Sequence, residues 1–308
     1  MILIIADKSD KDADRVESIL QKNAAEYSRL NLDVDSLKST HVKLEDNSFR
    51  IEGPNCNFST SEIEAVWNRS TRIDQFIENC RPNSNDDLIC NEVWNKTLEK
   101  LFSLLEPTKW LNFYHDFYAE THFGQYAISK NIGLKWPSSI CTNDINYLNS
   151  FFENKKDQIL ELMKQNCNVH LAHCNLGTYG DNFGIYRSDN LLNDKLSFGG
   201  ITFKVRCTVV GKEYFVGKIK SNLDFKGSNI ESGRQNHTVF QPPKSVRMKA
   251  IEIMTALNLT YGVFDFIVTD NDEWFFDALN PNGNYKWIED IRGSDISTSI
   301  ARWLMINN

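Results

Sequence analysis

The first residues of the chain have the pattern of a small α/β module. Met1–Ala6 is a nearly continuous apolar run, which is typical of a strand buried on both faces. Asp10–Asn23 has apolar residues at helical spacing and acidic residues early, so it predicts a helix. Glu26–Leu32 has a second strand pattern. A strand, a helix and a strand in this order predict an α/β fold for the N-terminal part.

The rest of the chain mixes strand and helix patterns. Further strands are predicted at Val42–Glu52, as a hairpin with Asp46 and Asn47 at its turn, at Glu64–Trp67, at Ser138–Thr142, and repeatedly from Val169 onward. Further helices are predicted at Leu88–Leu105, His122–Asn131, Thr142–Gln165, Ser245–Leu257 and Ile296–Ile306.

A hairpin near the C-terminus is the most informative stretch. Val263–Val268 and Trp274–Leu279 are rich in β-branched and aromatic residues, and the polar run between them predicts a turn. If the five residues 269–273 form the loop, Val268 pairs with Trp274. Counting outward from that pair predicts Asp265 directly opposite Asp277.

Two opposed carboxylates repel each other, so a fold normally avoids this arrangement. A divalent cation between them removes the repulsion, and Mg²⁺ prefers a few carboxylate oxygens together with waters and phosphates. Asn280, just past the strand, can add an amide oxygen. Two alternatives stay open: a solvated hairpin with its aspartates at a wet sheet edge, or a register slipped by one residue.

Length and charge limit the possible functions. At 308 residues the chain can form two or three packed modules. It has 34 basic and 41 acidic residues, a formal net charge of −7, and a pI near 5.5. This balance argues against non-specific binding of nucleic acid, so we expect no nucleic-acid partner.

The cysteines indicate a reducing compartment. They are odd in number and have no CxxC spacing: Cys56, Cys80, Cys90, Cys141, Cys167, Cys174 and Cys207. Met1–Ala6 is too short for a signal peptide or a membrane span, because Asp7 and other charged residues follow at once. We therefore expect a cytoplasmic protein with reduced thiols and no membrane partner.

Three basic or turn segments are candidates for binding an anion. Lys204 and Arg206 lie on one face of the strand Phe203–Val210, a pattern that fits either a solvated face or an anion site. Arg234 lies in a loop rich in Gly, Ser and Asn that could close over phosphates. Asn282 and the glycine after it offer backbone N–H groups, although Asn-Gly is equally a turn sequence.

A cluster of Cys167, His170, His173 and Cys174 suggests zinc but has unfavourable spacing. It lacks the well-separated ligand pairs of ordinary structural zinc sites. A strand here would point the two histidines to opposite faces, so the pattern disfavours zinc. The sequence contains no G-x-S-x-G, P-loop or H-E-x-x-H motif, which leaves serine hydrolase, P-loop NTPase and zincin functions without support.

The chain resembles the graspetide synthetases, the microviridin- and plesiocin-type ATP-grasp ligases that cross-link ribosomally made peptides. The similar segments run in the family's order over nearly the full length: Met1–Ala6 with Asp10–Asp14, Arg29–Asp33, Val66–Arg69, Lys109–Asn112, Gln125-Tyr126 with Gly133–Pro137 and Thr142–Asp144, Phe203–Gly211, Tyr261–Asp265, and Phe276–Gly283 followed by Trp287–Glu289.

The resemblance implies an α/β and α+β fold class with three parts. These are an N-terminal α/β pre-ATP-grasp domain at residues 1–115, a central ATP-grasp subdomain at 116–200, and a C-terminal ATP-grasp subdomain with the metal site at 201–308. The family phosphorylates a side-chain carboxylate of a precursor peptide. A hydroxyl or amine of the same peptide then displaces phosphate to give an ester or an amide. The implied cofactors are ATP and Mg²⁺. The implied partner is a precursor peptide with its leader and core, and a homodimer would suit the family.

The resemblance also assigns roles to residues. The family's metal ligands, an Asp, a Glu and an Asn, correspond to Asp265, Asp277 and Asn280, with Asp in place of Glu. Arg206 and Arg234 would stabilise the acyl phosphate and the phosphoryl group in transfer. The nucleotide-binding candidates are His122, Lys220 and Asn282.

Two lysines that the family uses to neutralise ATP phosphates are replaced in this chain. One lies eleven residues before the glycine of the family's G-L-x-x-P motif, where this sequence has His122. The other opens a strand-loop that corresponds to Val169–His173, which contains no lysine. Two hypotheses follow. The chain is an active ATP- and Mg²⁺-dependent peptide ligase, or it is a catalytically degenerate relative that binds a peptide or a partner protein. A third, a ligase for a small amino acid, shares the same site.

Overall fold

The computed structural model describes residues 1–45, 47–69, 85–113, 122–135, 139–142, 184–187, 203–220, 241–268, 272–292 and 295–306. The chain forms two compact units, one of residues 1–115, 259–261 and 281–308, the other of residues 116–258 and 262–280. The predicted boundary between residues 200 and 201 falls outside the described residues, so the three-domain division stays a prediction. Within the described ranges, no helix is long and apolar enough to cross a membrane.

The described strands are β1 (Ile2–Ala6), β2 (Tyr27–Asn31), β3 (His41–Glu45), β4 (Ser48–Gly53), β5 (Cys56–Ser59), β6 (Ala65–Asn68), β7 (Lys109–Leu111), β8 (Ser139–Thr142), β9 (Gly184–Arg187), β10 (Phe203–Val210), β11 (Glu213–Lys220), β12 (Tyr261–Val268) and β13 (Trp274–Asn280). The described helices are α1 (Lys11–Lys22), α2 (Val34–Lys38), α3 (Asn85–Leu105), α4 (His122–Asn131), α5 (Lys244–Ala256), α6 (Lys286–Arg292) and α7 (Ile296–Met305). A short 3₁₀ helix, Thr60–Glu62, precedes β6.

A parallel sheet in the order β2-β1-β6-β7 is the centre of the first unit. All five residues of β1 are buried, as the continuous apolar run predicts for a strand covered on both faces. Apolar residues of α3 pack on one face of this sheet, with Leu3, Ile5 and Val66 in the same core. Helices α1 and α7 pack against each other, and α7 also contacts β6. The predicted α/β module is therefore confirmed.

The second unit contains an antiparallel sheet in the order β11-β10-β12-β13. Helix α5 packs on one face of it, where the Tyr214 hydroxyl donates a hydrogen bond to the carbonyl of Arg247. A Cβ on Gly262 would lie 2.8 Å from Leu279 Cδ1 and 2.9 Å from Met254 Sδ. A side chain at position 262 would therefore have to displace the ends of these two flexible side chains.

Most predicted elements that fall in the described ranges are present within one or two residues. Asp10 caps α1, accepting hydrogen bonds from the backbone N–H groups of Asp12 and Ala13. Helix α3 begins at Asn85, three residues earlier than predicted. Helices α2 and α6 were not predicted because each is short, with 5 and 7 residues. The predicted helix 142–165 lies outside the described residues beyond position 142.

Candidate functional site

The first candidate site is an ion pair on the sheet face opposite α5. Arg206 on β10 donates from Nε to Asp265 Oδ1 and from Nη2 to Asp265 Oδ2, both at 2.7 Å. The two side chains are 22% and 26% exposed. Strand β12 is the neighbour of β10 in the sheet, so the strand order brings this pair together. Gly217, which pairs with Arg206 from the other side, adds no side chain next to the guanidinium.

The register of the β12–β13 hairpin is confirmed up to Phe266 and wrong beyond it. Val268 pairs with Trp274 and Phe266 with Phe276, as the loop length predicts. A β-bulge then shifts the register, so that Asp265 pairs with Ala278 rather than with Asp277. The physical reason is that the bulge inserts one extra residue into β13, and two residues then oppose one on the partner strand.

The bulge keeps Asp277 on the same half-exposed side as Asp265. Along β13, Phe276 and Leu279 are buried, and the two residues between them, Asp277 and Ala278, are both partly exposed. Strict alternation would bury one of those two residues. Asn280, which pairs with Val263, is exposed at the end of the strand.

The side chains of Asp265, Asp277 and Asn280 have the right chemistry for a hard cation, because Mg²⁺ takes carboxylate and amide oxygens. Arg206 already neutralises Asp265, so the face tolerates Asp277 nearby without a metal. An ionised carboxylate has about four lone-pair positions, and the guanidinium uses one on each oxygen of Asp265. Asp265 can therefore pair with Arg206 and still bind a cation. In the described ranges, no three His, Cys, Asp or Glu side chains cluster closely enough to hold a metal ion by themselves.

The remaining predicted site residues are only partly placed. His122 is the first residue of α4, and Lys220 is the last residue of β11. Arg234 lies outside the described residues, as does the Cys167–Cys174 segment that was considered for zinc. Their predicted roles stay predictions.

The last candidate, Asn282, lies in the first unit, in a loop held by Arg69. Nη1 of Arg69 donates to the backbone carbonyls of Asn282 at 3.2 Å and Gly283 at 3.4 Å. Nη2 donates to Asn284 Oδ1 at 2.9 Å. The Tyr261 hydroxyl donates to the carbonyl of Gly283 as well. Hydrogen bonds from Arg69 and Tyr261 therefore hold the backbone of the Asn-Pro-Asn-Gly segment in place.

Arg69 is itself fixed by two carboxylates. Nε donates to Asp10 Oδ2 at 2.9 Å and Nη2 to Asp12 Oδ2 at 3.1 Å. The Arg69 side chain is only 2% exposed. Burial works against the charge and would lower the pKa of Arg69, but Asp10 and the neighbouring groups raise that pKa above its ordinary value. For Asp12, burial has the opposite effect and raises the pKa of the carboxyl group, although the positive charge of Arg69 opposes that shift.

A buried asparagine holds the same loop from another side. Asn112 Oδ1 accepts from the backbone N–H groups of Thr260 and Tyr261, both at 2.9 Å. Its Nδ2 donates to the carbonyls of Tyr261 and Pro281, both at 2.8 Å. Neither Asn112 nor Arg69 was predicted as a site residue. The W-x-R and W-x-N strings were visible, but their partners are distant in the sequence.

Comparison with known proteins identifies the fold. The sequence matches no protein-family model and no curated protein. Its structure is similar to macrocyclase MdnC bound with the precursor peptide MdnA from Microcystis aeruginosa, with a TM-score of 0.73, 19% identity, and coverage of 99% of this chain and 100% of MdnC.

Two further solved structures agree. A RiPP-associated ATP-grasp ligase from Chryseobacterium gregarium, in complex with ADP and a leader and core peptide, gives a TM-score of 0.68 at 20% identity, covering 98% of this chain and 96% of that one. The ATP-grasp ligase PsnB, complexed with minimal precursor, Mg and ADP, gives 0.66 at 15% identity, covering 99% and 96%. The resemblance seen in the sequence is thus confirmed at the level of the fold: this chain has the ATP-grasp fold of the RiPP-associated macrocyclases.

Proposed function

We propose that this protein is an ATP-grasp ligase that modifies a ribosomally made precursor peptide. A side-chain carboxylate of the peptide attacks the γ-phosphorus of ATP, and ADP leaves. A hydroxyl or amine of the same peptide then attacks the acyl carbon, loses its proton and displaces phosphate. The product is an ester or amide cross-link. Neighbours of the same fold that hold precursor peptides and ADP support this proposal.

The observation that carries the proposal is the shared face of Arg206, Asp265 and the bulged Asp277. An arginine that is bidentate to Asp265, with a second carboxylate at the bulge of the paired strand, combines a phosphate-binding cation with oxygen donors for a metal. In this proposal Asp265, Asp277 and Asn280 hold Mg²⁺, which supplies charge neutralisation at the nucleotide phosphates. Arg206 and Arg234 stabilise the acyl phosphate and the phosphoryl group in transfer.

The nucleotide is bound by His122, Lys220 and Asn282 in this proposal. The backbone around Asn282 is fixed by Arg69 and Asn112, which supports a role for this loop, because preorganised groups bind charged ligands with little ordering cost. His122 replaces a lysine of the family, so its contribution depends on the protonation of an imidazole, which ordinarily titrates near pH 6.5.

A second candidate function is a degenerate relative that binds a peptide or a partner protein without using ATP. The observation that favours it is the Arg206–Asp265 pair itself. Because Arg206 supplies a positive charge to both oxygens of Asp265, the carboxylate has a reason to be retained without a metal.

Calorimetric titration with AMPPNP separates the two functions. The full chain is titrated in MgCl₂ and, separately, in EDTA. The ligase predicts saturable binding that is stronger with Mg²⁺, because the carboxylates and the triphosphate then share the cation. Absence of binding under both conditions would favour the degenerate protein and refute the ligase.

A further inference from the structure

The side-chain amide of Gln125 on α4 binds both backbone groups of Leu279 on β13. Nε2 donates to the Leu279 carbonyl at 2.6 Å, and Oε1 accepts from the Leu279 N–H at 3.0 Å. Gln125 is 2% exposed. A glutamine amide has a donor side and an acceptor side. Here it forms the two hydrogen bonds that a residue of a neighbouring antiparallel strand would form with Leu279.

A second contact lies on the same strand, before the bulge. The N–H of Phe276 donates to the backbone carbonyl of Lys135 at 2.8 Å. Lys135 thus forms a bridge next to β13, which is the last strand in the sheet order. The two bulged residues, Asp277 and Ala278, lie between these two contacts.

This arrangement matters because the bulge decides which face each of the following side chains of β13 takes. A shift of the strand by one residue would turn a side chain to the other face. The contact at Phe276 fixes the strand before the bulge, and Gln125 fixes it after the bulge. Together, the contacts at Phe276 and Leu279 set the direction of the Asp277 side chain and the position of Asn280.

We propose that Gln125 is a positioning residue for the metal-binding end of β13, acting on Asp277 and Asn280 through the backbone of Leu279. This inference rests on the proposed function, because it gives those two side chains a metal to bind. Gln125 itself supplies no ligand. Side chains of this kind, which orient ligands from behind, commonly change metal affinity by about 10- to 100-fold when they are mutated.

The test is the Mg²⁺ dependence of AMPPNP binding in Gln125→Met, a variant of similar length that removes both hydrogen bonds. We expect the Mg²⁺ concentration at half-saturation to rise about tenfold or more, while AMPPNP affinity in EDTA stays unchanged. The matched control is Ser129→Ala on the same helix. Ser129 is fully buried, and its hydroxyl donates to the carbonyl of Tyr126 within α4. Its Mg²⁺ midpoint should equal that of the parent.

Gln125→Asn gives a second measurement if the Met variant does not fold, because it keeps the amide but is one methylene shorter and cannot reach both backbone groups of Leu279. A raised Mg²⁺ midpoint in either folded variant supports the proposal. An unchanged midpoint, or an equal loss with and without Mg²⁺, overturns the positioning role while leaving the ligase intact. A parent protein without Mg²⁺-dependent binding overturns both.

Discussion

Two arginines of this protein, Arg69 just after β6 and Arg206 on β10, have opposite surroundings. Arg69 is 2% exposed, and its three nitrogens bind two carboxylates, two backbone carbonyls and an amide oxygen. Arg206 is 22% exposed and forms a bidentate pair with Asp265. Arg69 therefore connects segments of the fold, whereas solvent and ligands can reach Arg206. Both look alike in the sequence, so burial and partners decide between a structural and a chemical role.

The largest effect should come from Arg69→Met. Removing one partner from a buried ionic network leaves Asp10 and Asp12 uncompensated, and such losses cost about 3–5 kcal/mol. Urea unfolding followed by tryptophan fluorescence measures this change. The control is Arg50→Met in the same unit, whose side chain is 29% exposed and whose ion pairs lie at 3.7 Å. It should cost about 1 kcal/mol or less. Equal costs for the two variants would remove the distinction between a buried and an exposed arginine.

Asp265→Asn should abolish Mg²⁺-dependent AMPPNP binding while changing the free energy of unfolding by only about 1 kcal/mol, because the Arg206–Asp265 pair is partly exposed. Asparagine keeps the size and one acceptor for Arg206 but loses the charge that binds a cation. Calorimetry and urea unfolding give the two numbers. Asp272→Asn, at an exposed position between the same two strands, is the control and should behave like the parent. Its backbone φ of 57° is one that asparagine tolerates well. Unchanged Mg²⁺-dependent binding in Asp265→Asn would mean that this carboxylate is no metal ligand.

Arg206→Met should make Mg²⁺ alone bind more tightly, because it removes a positive charge that competes for Asp265. A unit charge at about 4 Å in water is worth about 1 kcal/mol, or roughly fivefold in affinity. The titration uses MgCl₂ without nucleotide. Lys212→Met, in the exposed turn between β10 and β11, removes a charge of the same sign and should leave the affinity unchanged. Weaker Mg²⁺ binding in Arg206→Met would show that the arginine and the cation do not share this carboxylate.

Asp277→Glu should have the smallest effect, a gain of a few-fold in Mg²⁺-AMPPNP affinity. The longer side chain restores the reach of the ligand that the resemblance implies at this position. Calorimetry at fixed MgCl₂ compares it with Ala278→Ser, a change at the neighbouring bulge residue that adds no charge. A loss of affinity in Asp277→Glu would mean that the bulge is built around the shorter side chain.

Local patterns predicted much of the fold. The continuous apolar run of Met1–Ala6 and the capped helix after it depend on nearby residues only, and both are present. The hairpin register was correct where the turn length determines it, at Val268 and Phe266. It failed at the bulge. The sequence did contain a sign of the bulge, because the buried residues Phe276 and Leu279 are three positions apart, whereas alternation requires an even spacing. Ala278 made the irregular spacing hard to recognise, since alanine is common on both the buried and the exposed face of a strand.

The supporting contacts of the candidate site could not be predicted in the same way. Arg69 lies 213 and 214 residues before Asn282 and Gly283, and Gln125 lies 154 residues before Leu279. No periodicity connects positions so far apart, and a buried arginine or glutamine has no local pattern of its own. Such pairs become visible only when the fold brings the elements together.

The pairing of Gln125 with Leu279 also bears on which backbone groups of β13 are available to other chains. Strand β13 carries the aromatic run Trp274–Phe276, and an uncovered strand of this composition is a template for pairing with another chain. Gln125 and Lys135 occupy backbone groups of that strand which a foreign strand would otherwise bind. The same amide that binds Leu279 thus leaves fewer backbone groups of this strand for edge-to-edge pairing.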